Sequence, residues 1–127
     1  MFFDLGVRHA APGLRASREI VPVNPGVCFE QRLGIELWKR LQDLGEGRLH
    51  YPRTRDGMEI DYIVEHRGTL TLIEAKWTDR PALQEPRHLL TFRGEHPRQA
   101  KQGYLVCRRA APVRRPDQIT ELPWFCL

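Results

Sequence analysis

Hydrophobic positions along the chain change period three times. Phe29, Leu33, Leu37, Leu41 and Leu44 recur at spacings of four and three, which predicts a helix with one apolar stripe, widened by Trp38. Asn24 stands where an N-cap belongs, Pro25 suits the first helical turn, and Gly45 follows the last periodic residue. The pattern then shortens to strand spacing. "RLHYPRTR" leads into Asp56-Gly57, a two-residue hairpin signal, and "MEIDYIVE", "HRGT" and "LTLIEAKW" follow. A second helix is expected within "RPALQEPRHLLTFRG", with Pro86 starting its helical part. "GYLVCR" reads as a short apolar strand, and the tail "ITELPWFCL" as a further strand or a packed terminus. The expected class is α/β, one sheet flanked by helices. One domain over residues 1–127 is expected, with residues 1–24 an irregular segment rich in proline and glycine.

The turn sets a register. With Arg67-Gly68 as the loop, His66 faces Thr69, Asp61 lies opposite Glu74, and Glu59 lies opposite Lys76. Side chains alternate across a strand, so Asp61, Glu74 and Lys76 share one face with Ile63 and Leu72. Ile60, Tyr62, Val64, Ile73 and Ala75 take the other. Both faces are largely apolar, and the charges gather at one end of a buried hairpin.

Two carboxylates facing each other across strands repel, since their Cβ atoms stand only about 5 Å apart. A divalent cation turns that penalty into binding, and carboxylate oxygens suit Mg²⁺, Mn²⁺ or Ca²⁺. The structural alternative is that Lys76 and an arginine neutralise the pair. Glu30, in the first turns of the helix, shares a flank with Leu33, Gly34 and Leu37 and can face the sheet. Its alternative is an acid favoured by the helix dipole. Glu36, four residues from Arg32 and from Arg40, reads as an exposed ion-pair ladder.

Composition narrows the classes. No apolar run approaches the roughly 20 residues of a membrane span, and the N-terminus lacks the pattern of a signal peptide. Cys28, Cys107 and Cys126 show no metal-knuckle spacing, which makes a reducing cytoplasm the expected compartment; all three are expected in or near the core. The net charge of +4 is carried mostly by arginine, compatible with a phosphate backbone and equally with solvated basic loops such as "RRAAPVRRP". The histidines read as surface residues, and Trp38, Trp77 and Trp124 as core aromatics rather than base-stacking platforms.

Glu30 on the first helix, Asp61 on the second strand and Glu74-Ala75-Lys76 on the third resemble the PD-(D/E)XK nuclease superfamily. More closely, "FFDLGVRHA", "GVCFEQRLGIEL", "YPRTRDGMEIDYIVE", "LIEAKWT", "GYLVCR" and "ELPWF" resemble, in order, the DUF4143 domain found at the C-terminus of many AAA-type ATPases. The resemblance implies a restriction-endonuclease-like αβββαβ core with a mixed sheet, and a metal-dependent phosphodiesterase acting on DNA in preference to RNA. Asp61, Glu74 and the backbone carbonyl of Ala75 would hold Mg²⁺ or Mn²⁺, with Glu30 joining directly or through water. Lys76 would orient the attacking water or stabilise the transition state, and Arg53, Arg55 and Arg80 would contact phosphates. Two departures stand out: Ile60 occupies the place of the superfamily's proline, and no G-x-x-x-x-G-K-S/T occurs, so no ATPase domain is expected in these residues. An AAA-type ATPase is the implied partner; a homodimer is left open, as is whether the chain is a stand-alone module, a fragment or a remnant. The alternatives are an inactive nuclease-fold module that binds nucleic acid or a partner protein, and an oligomerisation domain using "MFF" and "PWFCL".

Overall fold

The computed structural model describes residues 24–53, 55 and 57–127. The expected irregular segment therefore lies outside the described residues apart from Asn24, and so does Asp56 of the expected turn. Helix α1 spans Pro25–Leu44, with Pro25 in its first turn. Asn24 occupies the cap position but makes no side-chain capping bond; its carbonyl accepts from the Cys28 amide at 3.1 Å. Gly45 ends the helix at φ 70°, the left-handed conformation glycine adopts without strain. Phe29, Leu33 and Leu37 are buried, whereas Leu44 and Trp38 at the solvent end are exposed.

Strands β1 (Arg48–His50), β2 (Tyr62–His66) and β3 (Thr69–Ala75) follow, then helix α2 (Arg87–Glu95) and β4 (Ala100–Cys107). Two short strands, β5 (Val113–Arg114) and β6 (Thr120–Pro123), and a 3₁₀ turn at Trp124–Cys126 complete the chain. The sheet runs β1-β2-β3-β4-β6-β5. Neighbours are antiparallel from β1 to β3, parallel from β3 through β4 to β6, and antiparallel again at β5. The expected α/β class and helix-flanked mixed sheet are therefore present.

The β2–β3 register is the expected one, from His66 opposite Thr69 to Tyr62 opposite Ile73. Arg67 and Gly68 both have positive φ, 50° and 76°, as a two-residue turn that follows the sheet's twist requires. Strand β1 pairs with Leu49 opposite Val64, the register of a turn centred on Asp56-Gly57, but the isolated bridge Arg53↔Glu59 is slipped by one residue.

Each face of the sheet carries its own core. Phe29, Leu33 and Leu37 of α1 pack on Tyr62, Ile73 and Val106. Leu89 of α2 packs with Ile60, Ile63, Leu72, Leu105 and Ile119 on the other face. Ile60 thus sits with Ile63, not with Tyr62 as alternation requires. The chain bends at Asp61, where β2 has not yet begun, and the bend resets which side each residue faces.

Other expectations change for physical reasons. Trp38, Trp77 and Trp124 are each more than a third exposed. Trp77 lies against Phe29 with ring centroids 5.3 Å apart and beneath the Arg108 guanidinium, 4.5 Å from the ring centre, so it seals the edge of a core. Cys28 and Cys107 are buried, but Cys126 is exposed on the final turn. The basic segment after β4 is not uniformly solvated: Arg115 is only 6% exposed.

Candidate functional site

Asp61, Glu74 and Lys76 come together where β3 ends. Lys76 donates its backbone amide to Val106 of β4 at 2.9 Å. Successive amides of an extended chain point to opposite sides, so the Ala75 amide points towards β2. The bend at Asp61 has removed the backbone acceptor there. The carboxylate supplies it instead: Asp61 Oδ2 accepts from Ala75 N–H at 2.7 Å. Asp61 is therefore not a ladder residue facing Glu74 but a side chain folded onto the end of β3. Glu59, expected opposite Lys76, pairs with Arg53 at 2.9 Å.

Glu74 points to the α2 face and is 6% exposed. Its Oε1 receives the Lys76 ammonium at 3.0 Å, so the lysine part of the neutralisation weighed from sequence is present, among the described residues without the arginine expected beside it. Its Oε2 is buried without any hydrogen-bond partner. Lys76 also reaches Glu85 Oε2 at 3.4 Å, from the segment leading into α2.

Glu30 approaches from the α1 face. Tyr62 Oη donates to the Glu30 carbonyl at 2.9 Å, which fixes that turn of α1 over the start of β2. Glu30 and Asp61 share a cleft of about 390 Å³ with Tyr51, Arg53, Glu59 and Tyr62. Asp61 thus stands between two carboxylates, Glu30 in the cleft and Glu74 towards α2. Arg53 lines the cleft as expected. Arg55 lies exposed in the β1–β2 connection, and Arg80 is exposed beyond β3, its backbone amide donating to Thr78 Oγ1 at 3.2 Å.

The electrostatics agree with this placement. Burial pushes the Asp61 carboxyl up, outweighing the Ala75 amide and the Lys76 charge. Burial likewise raises Glu74 against its pairing with Lys76. Burial raises Glu30, with Asp61 and Glu59 adding to it. Burial works against the Lys76 charge, but Glu74, Glu85 and Asp61 outweigh it and hold the ammonium above its ordinary value. Three desolvated carboxylates with one lysine among them favour an added positive charge.

Hard oxygen donors and an orphaned buried carboxylate oxygen fit Mg²⁺ or Mn²⁺ by donor chemistry. Among the described residues, no group of three His, Cys, Asp or Glu side chains is already gathered to hold an ion.

A family model, the "Domain of unknown function (DUF4143)", matches residues 25–127, from the first residue of α1 to the end of the chain. The chain belongs to the DUF4143 family. No curated protein and no solved structure matches it.

Three contributors to this DUF4143 site were not read from the sequence. His88 on α2 places Nδ1 2.9 Å from the Glu59 carbonyl, to which it donates in the Nδ1–H tautomer, and its charge bears on Glu74. Glu85 meets Lys76. Arg115 donates to the Ala82 and Leu83 carbonyls, at 3.3 and 2.6 Å, and to Glu121 Oε1 at 3.0 Å. Pro86 marked the start of α2, which would have placed Glu85 and His88 at its N-terminal end. No local pattern marks Arg115. Among the described residues, no helix is long and apolar enough to cross a membrane.

Proposed function

We propose that this DUF4143 domain is a divalent-metal-dependent phosphodiesterase of the PD-(D/E)XK type, acting on DNA. The observation that carries the reading is Glu74 Oε2, a buried carboxylate oxygen without a partner, beside a half-buried Asp61 whose carboxyl burial also pushes up. The order αβββαβ through β4, with the acids on the helix and at the sheet end, supports a restriction-endonuclease-like core.

Asp61, Glu74 and the Ala75 carbonyl would hold Mg²⁺ or Mn²⁺, with Glu30 contributing through water from the cleft. Such an ion, when bound, supplies charge against the phosphodiester and acidifies water. Lys76 contributes a fixed positive charge where negative charge develops on the phosphorus oxygens. Arg53, which lines the cleft, would exchange Glu59 for a phosphate. Tyr62 holds α1, and so Glu30, in place. Service as the effector module of an AAA-type ATPase follows from the family resemblance, and a cytoplasmic setting from the scattered cysteines.

The test is nicking of supercoiled plasmid with Mg²⁺ or Mn²⁺. The wild-type protein nicks, and Asp61→Asn, Glu74→Gln and Lys76→Ala do not. No metal-dependent nicking by the wild-type protein would overturn the reading. A second reading, an inactive module that binds nucleic acid or a partner protein, is favoured by Asp61 Oδ2 being engaged by backbone. DNA binding that survives Asp61→Asn, falls steeply with salt and brings no nicking would select it.

A further inference from the structure

Lys76, like Asp61, lies outside the helices and strands. It follows β3, and only the Val106 carbonyl holds its backbone by hydrogen bond to the sheet. A four-carbon side chain there has many rotamers, and only some put the ammonium beside Glu74. Two carboxylates narrow the choice: Glu74 Oε1 at 3.0 Å from the strand side, and Glu85 Oε2 at 3.4 Å from the α2 side.

Glu85 is itself placed by a turn. Its amide donates to the Ala82 carbonyl at 3.2 Å, and the Arg87 amide donates to the Gln84 carbonyl at 3.2 Å. That turn is tied down from across the sheet. Arg115 grips the Ala82 and Leu83 carbonyls. Its guanidinium is fixed in turn by Glu121 and by Asp117 Oδ2 at 3.1 Å. Arg109 holds the other oxygen of Glu121. Glu121 belongs to the same sheet row as Glu74, with Leu105 between them. The two glutamates therefore share a face, and a continuous path of bonds runs from Arg115 through the 82–85 turn to Lys76.

We propose that Glu85 is a positioning residue for the Lys76 ammonium, and that Arg115 acts through it by clamping the Ala82 and Leu83 carbonyls. This rests on the reading of Lys76 as the charge-stabilising group of a phosphodiesterase site, but the pairing itself can be measured without activity. Arginine suits the clamp because its fixed fork of donors reaches two carbonyls and two carboxylates at once, which a lysine cannot do.

The chain has three lysines, Lys39, Lys76 and Lys101, and the first and last are exposed. A side-chain ammonium ¹H–¹⁵N correlation spectrum therefore gives a Lys76 signal with two internal references. Glu85→Gln is nearly isosteric and leaves the buried network untouched. The expected result is a displaced Lys76 signal with Lys39 and Lys101 unmoved, recovered in large part by Glu85→Asp. In the nicking assay, Glu85→Gln lowers the rate at saturating DNA about tenfold, the worth of one charged hydrogen bond, without changing KM for DNA. Arg115→Lys displaces the Lys76 signal in the same direction. An unmoved Lys76 signal in Glu85→Gln overturns the proposal, and an unmoved signal in folded Arg115→Lys removes Arg115 from it. A wild-type protein that does not nick, while Glu85→Gln displaces the signal, overturns the phosphodiesterase reading and supports the positioning role.

Discussion

Asp61 Oδ2 and the Ala75 backbone amide, 2.7 Å apart, replace a rung of the β2–β3 ladder with a side-chain bond. The replacement brings one carboxylate to the end of the strand that carries another. It also makes Asp61 a structural residue as well as a candidate ligand. Asp61→Ala leaves the Ala75 amide without its acceptor and is expected to cost about 1–3 kcal/mol. Asp61→Asn keeps an acceptor oxygen and is expected to cost little. Urea denaturation of both variants measures the difference, and equal losses would refute the bond's role.

The pH dependence of the metal-free protein follows from the same carboxylates. Glu30, Asp61 and Glu74 have folded-state pKa values raised above their ordinary values, mainly by burial. The folded protein therefore binds protons more readily than the unfolded chain in that window. Their contribution to stability rises as pH falls from neutral through the raised values, and is complete below the ordinary carboxylate range. Glu46, held low by His66 and Arg67, works in the opposite direction but is common to every variant. The urea midpoint of the wild type is expected to gain more than that of Asp61→Asn between pH 7 and about 5. Equal gains would show that Asp61 does not take part.

Divalent metal should act on stability in the same place. An ion that binds the folded state alone raises the unfolding midpoint with concentration. Mn²⁺ at pH 7 is expected to raise the thermal midpoint of the wild type and to leave Glu74→Gln unmoved. A rise of equal size in both would locate the binding elsewhere.

Arg115 is expected to dominate the stability of the far half of the sheet. Its side chain is 5% exposed and that of its partner Glu121 is 4%. Arg115→Met leaves Glu121 buried with Arg109 and takes a donor from the Ala82 and Leu83 carbonyls, at an expected cost of about 3–5 kcal/mol. Arg109 is a third exposed, so Arg109→Met should cost less. The order of the two urea midpoints checks this, and the reverse order contradicts it.

Local signals made much of this fold legible. Arg67-Gly68 fixed the β2–β3 register because a two-residue turn admits one pairing, and Pro25, Gly45 and the leucine stripe bounded α1. The same signals misread Asp61. "EIDYIVE" alternates like a strand, whereas the chain bends there because a short carboxylate can serve the Ala75 amide as well as a carbonyl does. Arg115 sits among prolines in a segment that reads as solvated. Its burial depends on the carbonyls of Ala82 and Leu83, more than thirty positions away, which leave no trace in local pattern. The tryptophans failed for a related reason. Trp77 covers Phe29 from outside and offers its ring to Arg108, an edge position that hydrophobicity alone cannot tell from a core.

The metal site is the claim on which the rest depends. The direct measurement is an anomalous difference map from crystals of the wild-type protein soaked in Mn²⁺. A peak within about 2.0–2.6 Å of oxygens from both Asp61 and Glu74 is the predicted result. A fully soaked crystal with no peak between these two carboxylates, or with peaks only elsewhere on the surface, would contradict it.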